Sequence, residues 1–416
     1  MGQLDCDSDV VIVGGGFAGG SLATVLARNG IAVTLLERQK RYQDIVRGEF
    51  LGTWGVAEAA RMGLSDCLLE GGAWALQWWR QWDETFQPDD APVISVSKLR
   101  HRVPGAEGPV TLSHPATCEA FARAATAAGA RVELGAEKIR LCLDGRHPVL
   151  RYNKAGQEHV HKGRIVVGAG GRFGQLARQA RIEMHSDCDH WGGGLAVEGL
   201  ANWPDDTQAM GTEGEFMFYV FPQGDGRARL YLNYSAETAK WFTGPARVSN
   251  FLKAFDLKCV PGSEEIASAQ PIGRLATLRV TYSWTDYPLA DRVVLIGDEA
   301  GMNDTILGTG LACSLWDARQ VAEILLSEPD WSPSAFRGYA AQRAERMRCL
   351  KRAASIMSRL YAEFDEDARS RRRRAYNLMN SNPAHTLFLL VALAGPDAFP
   401  KGPFGDYLVE RLLTAA

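Results

Sequence analysis

The 416-residue chain is 46% hydrophobic and 23% charged, with a formal net charge of -3. That balance belongs to a globular protein of two or three domains and gives no electrostatic reason to expect nucleic acid or an anionic membrane as a partner. Its eight cysteines are scattered without a Cys-x-x-Cys pair, which argues against a zinc site or a dithiol centre and suits a reducing cytoplasm.

Residues 1–8 carry two aspartates and no apolar run, so no signal peptide is expected there. The run Asp9-Val10-Val11-Ile12-Val13 has the character of a strand buried on both faces of a parallel sheet. Gly14, Gly16 and Gly19 then give the spacing Gly-x-Gly-x-x-Gly, with Phe17 and Ala18 between the last two. A helix is predicted over 21–29 and a second strand over 31–36, closed by Glu37 and Arg38. In such a unit Gly14 permits the tight turn, Gly16 lets backbone approach a pyrophosphate, and Gly19 lets helix and sheet pack closely. Amides at the helix start face the phosphates, and Glu37 accepts from a ribose diol.

Four tryptophans, Trp74, Trp78, Trp79 and Trp82, cluster next; core packing outweighs a role as pocket lining. A helical rhythm over 111–128 precedes a strand at 131–134, with His114 read as a surface loop residue in preference to a cofactor contact. Ile165-Val166-Val167 is a further strand, followed by Gly168-Ala169-Gly170-Gly171. Strands at 216–221 and 228–233 flank turns at Gly224 and Gly226.

Residues 292–296 read as another buried strand ending in Gly297-Asp298, and a loop of small residues leads through Gly308 and Gly310 to a helix over 311–326 that opens at Leu311. The Asp298 carboxylate suits the ribityl chain of a flavin, and the positive end of the helix suits its ring. One or two amphipathic helices are predicted over 334–364. The basic run Arg369, Arg371 to Arg374 beside Glu363, Asp365, Glu366 and Asp367 is read as a solvated helix with internal ion pairs. The apolar stretch at 387–394 is far short of the roughly 20 residues of a bilayer span and is expected to be a buried helix or a subunit contact.

The fingerprint at 14–19 and the segment Gly297-Asp298-Glu299-Ala300-Gly301, with Thr305 and Gly308-Thr309-Gly310 in register behind it, resemble the flavin monooxygenases related to para-hydroxybenzoate hydroxylase. Arg47-Gly48-Glu49-Phe50-Leu51 resembles that family's arginine-containing loop beside the flavin, and Asp317-Ala318 its later Asp-Ala pair. The resemblance implies an α/β fold: a Rossmann-type FAD-binding domain with an inserted β-sheet substrate domain and a C-terminal helical region. The corresponding expectation is a discontinuous FAD-binding domain at 1–75, 111–182 and 286–328, a substrate domain at 76–110 and 183–285, and helices over 329–416.

It further implies NAD(P)H as electron donor, O2 as co-substrate, and transfer of one oxygen atom through a hydroperoxyflavin to an aromatic or hydrophobic molecule, in a cytoplasmic monomer or homodimer. The implied cofactor is FAD, with no metal. No motif singles out a catalytic side chain. The sequence departs from the pattern at Gly170, where aspartate is usual, at Gly174 for serine, at Gly301 for histidine and at Thr305 for proline. These departures bear on whether NAD(P)H or a partner flavin reductase reduces the flavin. A halogenase is a weaker reading, lacking its Trp-x-Trp-x-Ile-Pro element and its lysine. Gly301 favours a prenyl-reductase-like enzyme as an alternative, and a non-catalytic flavin-binding protein is a third.

Overall fold

Val10, Val11 and Ile12 are shut off from solvent because their strand, Ser8–Val13, lies between two parallel neighbours, Val33–Glu37 and Gln157–Gly168. Val10 stands opposite Val33 on one side and Ile165 on the other. Arg131–Leu134 extends the sheet beyond Val33–Glu37, and Val293–Leu295 extends it beyond Gln157–Gly168. The computed structural model describes residues 6–44, 46–399 and 406–414. Residues 1–5, part of the segment read for a signal peptide, and 400–405 and 415–416 of the predicted C-terminal helices lie outside the described residues.

The fingerprint helix, Phe17–Arg28, starts four residues earlier than the predicted 21. Gly19 sits where the helix crosses the sheet and Gly20 where it meets the His114–Ala127 helix: a side chain at Gly19 would begin 1.9 Å from the Gly14 carbonyl oxygen, and one at Gly20 3.0 Å from Phe121 Cβ. His114–Ala127 packs on one side of this helix and Gly310–Ser327 on the other.

A second, eight-stranded sheet includes Trp78–Asp83, His185–Glu198, Thr207–Glu213, Phe216–Pro222, Arg227–Tyr234 and Ala276–Trp284. Strand side chains alternate between faces, and this sheet uses the alternation to separate two environments. Ala209, Phe218, Val220 and Leu230 enter a small core of their own. Gln208, Tyr219, Phe221 and Tyr231 border a cavity on the opposite face. The tryptophans divide in the same way: Trp82 packs in the small core with its ring 6.1 Å from that of Trp203, whereas Trp79 borders the cavity and Trp78 is exposed.

The 334–364 segment forms one helix, Arg337–Tyr361, followed by Glu366–Ser381 and the buried Leu387–Ala394. These helices share one hydrophobic core with the fingerprint helix. The basic run forms the solvated helix with internal pairs only in part: Arg373 and Arg374 are exposed, but Arg372 is not. Arg372 is fully buried, its Nε 3.0 Å from Asp83 Oδ2 and its Nη2 2.9 Å from Glu84 Oε1. Arg369 also reaches Glu84, at 3.0 Å. Arg371 pairs with the neighbouring Glu363 and Arg369 lies 3.6 Å from Glu366, as the local pattern predicts, while Arg372 and a second contact of Arg369 reach across the core boundary to Asp83 and Glu84. No helix among the described residues is long and apolar enough to cross a membrane.

Candidate active site

A cavity of about 590 Å³, within the usual range for cofactor sites, lies between the two sheets. Gly14, Gly16, Phe17 and Ala18 border it together with Glu37 and Arg38. Arg47, Asp298, Gly308, Gly310 and Leu311 border it as well, although they come from distant parts of the chain. Gly19 does not; its part is the close packing of helix on sheet described above.

The glycines divide by what surrounds them. Gly14 has φ +109°, and a side chain there would begin 2.2 Å from the Ala169 carbonyl oxygen, so no other residue fits. A side chain at Gly16 would meet no atom within 4 Å and would enter open space. Phe17–Arg28 begins without a side-chain cap and without an acid in its first turn, and so does Gly310–Ser327 behind Thr309. By contrast Ser113 caps His114–Ala127 and Asp365 caps Glu366–Ser381. The two bare helix starts bring unpaired amides and positive dipole ends to the cavity, where an anion satisfies both.

Glu37 does more than its sequence position suggests. Its Oε2 accepts from the Gly15 amide at 2.7 Å and its Oε1 from the Gln39 amide at 2.7 Å, so it pins the fingerprint turn while bordering the cavity. His114 is no surface loop residue. It opens the His114–Ala127 helix, borders the cavity, and lies 5.2 Å from the Phe17 ring, centre to centre.

Burial, with help from Arg47, lowers the His114 pKa from 6.5 to about 3. The folded chain thus holds the ring neutral while the unfolded chain protonates it below its ordinary value. Stability from this source is complete above about pH 6.5 and is lost as the pH falls toward about 3. His114→Asn is expected to narrow the difference between melting temperatures taken at about pH 7.5 and about pH 5.5.

Asp298 is half-buried at the cavity edge, and burial raises its carboxyl pKa against the pull of Arg47 and Arg343. The loop that presents it is clamped from behind. Asp317 Oδ2 accepts from the Gly297 amide at 2.8 Å and from Arg343 Nε at 3.0 Å. The other guanidinium nitrogens of Arg343 donate to the carbonyls of Gly297, Ala300 and Gly301 at 2.9–3.1 Å. Sequence reasoning missed Arg343, which sits in a charged amphipathic helix with no motif around it.

On the side of the second sheet the cavity is aromatic. Phe50 stacks on Phe221 at 5.2 Å and Tyr219 on Phe221 at 5.5 Å, and the Tyr219 hydroxyl donates to the Ile306 carbonyl at 2.5 Å. Gln208 is buried among these groups opposite Trp79 in the strand register, and its amide has no hydrogen-bond partner among the described residues. Met357, Ala392 and Leu393 close the wall from the C-terminal helices. Among the described residues bordering the cavity Lys138 is the one lysine, and it follows the Ala136 turn that pairs with Glu37.

The family described as FAD binding domain matches residues 7–353 of the chain. Digeranylgeranylglycerophospholipid reductase 2 of Methanopyrus kandleri is 26% identical over 374 residues, which cover 86% of this chain and 88% of the relative. Among solved structures, p-nitrophenol 4-monooxygenase from Pseudomonas putida superposes with a TM-score of 0.79 at 15% identity, over 95% of this chain and 98% of its own. A flavin-dependent brominase superposes with a TM-score of 0.74 at 16% identity, over 95% of each chain. These two likenesses show the fold: a Rossmann-type FAD-binding domain joined to a second sheet and a C-terminal helical region.

Proposed function

The chain belongs to the FAD binding domain family, and on that premise we propose that it is a FAD-dependent monooxygenase acting on an aromatic or otherwise apolar small molecule. The observation that carries this reading is one continuous cavity whose one part is lined by bare helix starts and whose other part is lined by stacked aromatic rings. Bound FAD supplies the redox and oxygen chemistry, which needs no metal and no protein nucleophile.

The chain's own residues bind, orient and exclude water. Amides at Gly16, Phe17 and Ala18 hold the pyrophosphate, and Glu37 and Arg38 border the nucleoside. Asp298 would take the ribityl hydroxyls, and the Thr309 helix start, with Arg47, Gly308, Gly310 and Leu311, would hold the flavin end. Tyr219, Phe221 and Trp79 keep the reacting end dry. Gln208 orients a substrate that carries a hydrogen-bonding group, because its amide borders the cavity without a protein partner among the described residues.

NAD(P)H is the proposed electron donor, and O2 the co-substrate. The test is anaerobic mixing of the flavin-loaded protein with NADH or NADPH, followed at the flavin absorbance, and then oxygen uptake with candidate aromatics. Bleaching that a substrate accelerates, with oxygen consumed in proportion to product, supports the proposal. No oxygen uptake with any substrate overturns it. Gln208→Leu is expected to raise the KM for a phenolic substrate roughly tenfold, the loss of one buried hydrogen bond, with little change for an apolar analogue.

The Methanopyrus kandleri relative favours a second reading, reduction of an isoprenoid double bond in the same apolar chamber. That reading predicts product formation without oxygen. Halogenation is disfavoured because the cavity's aromatic part has no lysine among its described lining residues.

A further inference from the structure

Gly168, Gly170 and Gly174, at the end of the Gln157–Gly168 strand and in the turn beyond it, all face the same side chain. A side chain at Gly168 or at Gly170 would begin 3.1 Å from Glu299 Oε2, and one at Gly174 would begin 2.2 Å from Glu299 Cδ. Glu299 is 4% exposed. Its Oε2 accepts from the Gly170 amide at 2.6 Å and its Oε1 from the Leu176 amide at 2.7 Å. Burial raises the Glu299 carboxyl pKa, and these two backbone donors pull it back down. Its chain neighbour Asp298 borders the cavity, as do Gly170 and Gly174. Three absent side chains and one buried acid therefore form a single unit: the 168–174 turn is hollowed out to admit a carboxylate from the 297–301 loop.

We propose that Glu299 is a positioning residue of the FAD site, supplying from the 297–301 loop the carboxylate that the resembling enzymes carry at position 170. Through it the 168–176 turn and the Asp298 loop are held in fixed relation on two sides of the cavity. The proposal rests on FAD binding, not on the reaction that FAD then performs.

Neither half of such an exchange works alone. Gly170→Asp with Glu299 in place forces two carboxylates into one buried space, where both cannot stay charged. Glu299→Ala leaves two buried amides without acceptors and a void behind them. Made together, the two changes restore one carboxylate to one space, provided the Gly174 backbone, 2.9 Å from the new first carbon, shifts to admit it. The experiment is a titration of the full-length apo-proteins with FAD, followed by flavin fluorescence, with melting temperatures of each variant alongside.

Glu299→Ala and Gly170→Asp are each expected to weaken FAD binding about tenfold or more, and the double variant to return within about threefold of wild type. Glu299→Gln, which keeps the shape and one acceptor, is expected to fall between wild type and Glu299→Ala. Rescue of FAD affinity by the second substitution is the reading that a general loss of stability would not produce. A double variant that binds no better than Glu299→Ala overturns the proposal. So does wild-type affinity in Glu299→Ala. Should Glu299→Ala fail to fold, the double variant decides against Glu299→Gln. Near-wild-type affinity in the double variant supports the exchange; absence of binding in it beside a normal Glu299→Gln overturns it. Wild-type chain that takes up no FAD would instead overturn the cofactor reading itself.

Discussion

Gly16→Val is expected to purify as a folded protein with its flavin gone. The new side chain has no atom within 4 Å of its first carbon, so the fold has nothing to rearrange. That open space is where the pyrophosphate lies against the helix start in the proposed site, and a branched side chain fills it. Loss of FAD affinity of about 100-fold or more, near 3 kcal/mol, is the anticipated size. The check is flavin absorbance of the purified protein beside its far-UV spectrum and melting temperature. Gly14→Val is the contrast, since that side chain would begin 2.2 Å from the Ala169 carbonyl at a positive φ, and it is expected to lose the fold along with the flavin. Full yellow colour in Gly16→Val would place the cofactor elsewhere.

Arg343→Met is expected to be strongly destabilising on the cofactor side without a steric clash. Arg343 is 3% exposed and Asp317 1%. Removing the guanidinium strands a buried carboxylate and leaves the carbonyls of Gly297, Ala300 and Gly301 without these donors. Breaking a buried pair from one side costs about 3–5 kcal/mol, a large share of the ~5–15 kcal/mol that holds a typical domain folded. Urea denaturation of the flavin-free protein measures it without interference from ligand. A loss below about 1 kcal/mol would mean that water replaces the guanidinium and that the clamp is dispensable.

The parts legible in the sequence are those built from short contiguous patterns. The apolar run before Gly14, the glycine spacing and Glu37 announce a βαβ unit because each carries its own physical reason. The Gly297-Asp298 segment announces a second strand end because it repeats that logic. What stayed hidden depends on pairing across the chain. Arg372 looks like one charge of a surface run until Asp83 and Glu84 are seen beside it. Gly170 and Gly174 look like defects in a motif until Glu299, more than a hundred positions later, is seen to occupy their space. His114 was misread because a histidine one residue past a helix-capping serine has no pattern that distinguishes an inward from an outward face. Gln208 offered no signal at all, since a lone amide in a strand is ordinary until its neighbours prove to be aromatic.

Met357, Ala392 and Leu393 wall the cavity from positions past residue 353, where the family match stops, Met357 lying at the end of the Arg337–Tyr361 helix that also carries Arg343. Trp54 ties that wall down by donating its indole N–H to the Ala392 carbonyl at 3.3 Å. The cavity wall and the fingerprint are thereby built from separate parts of the chain. Substitutions at Met357, Ala392 or Leu393 reshape that wall without touching the glycine fingerprint, Asp298 or the Arg343 clamp.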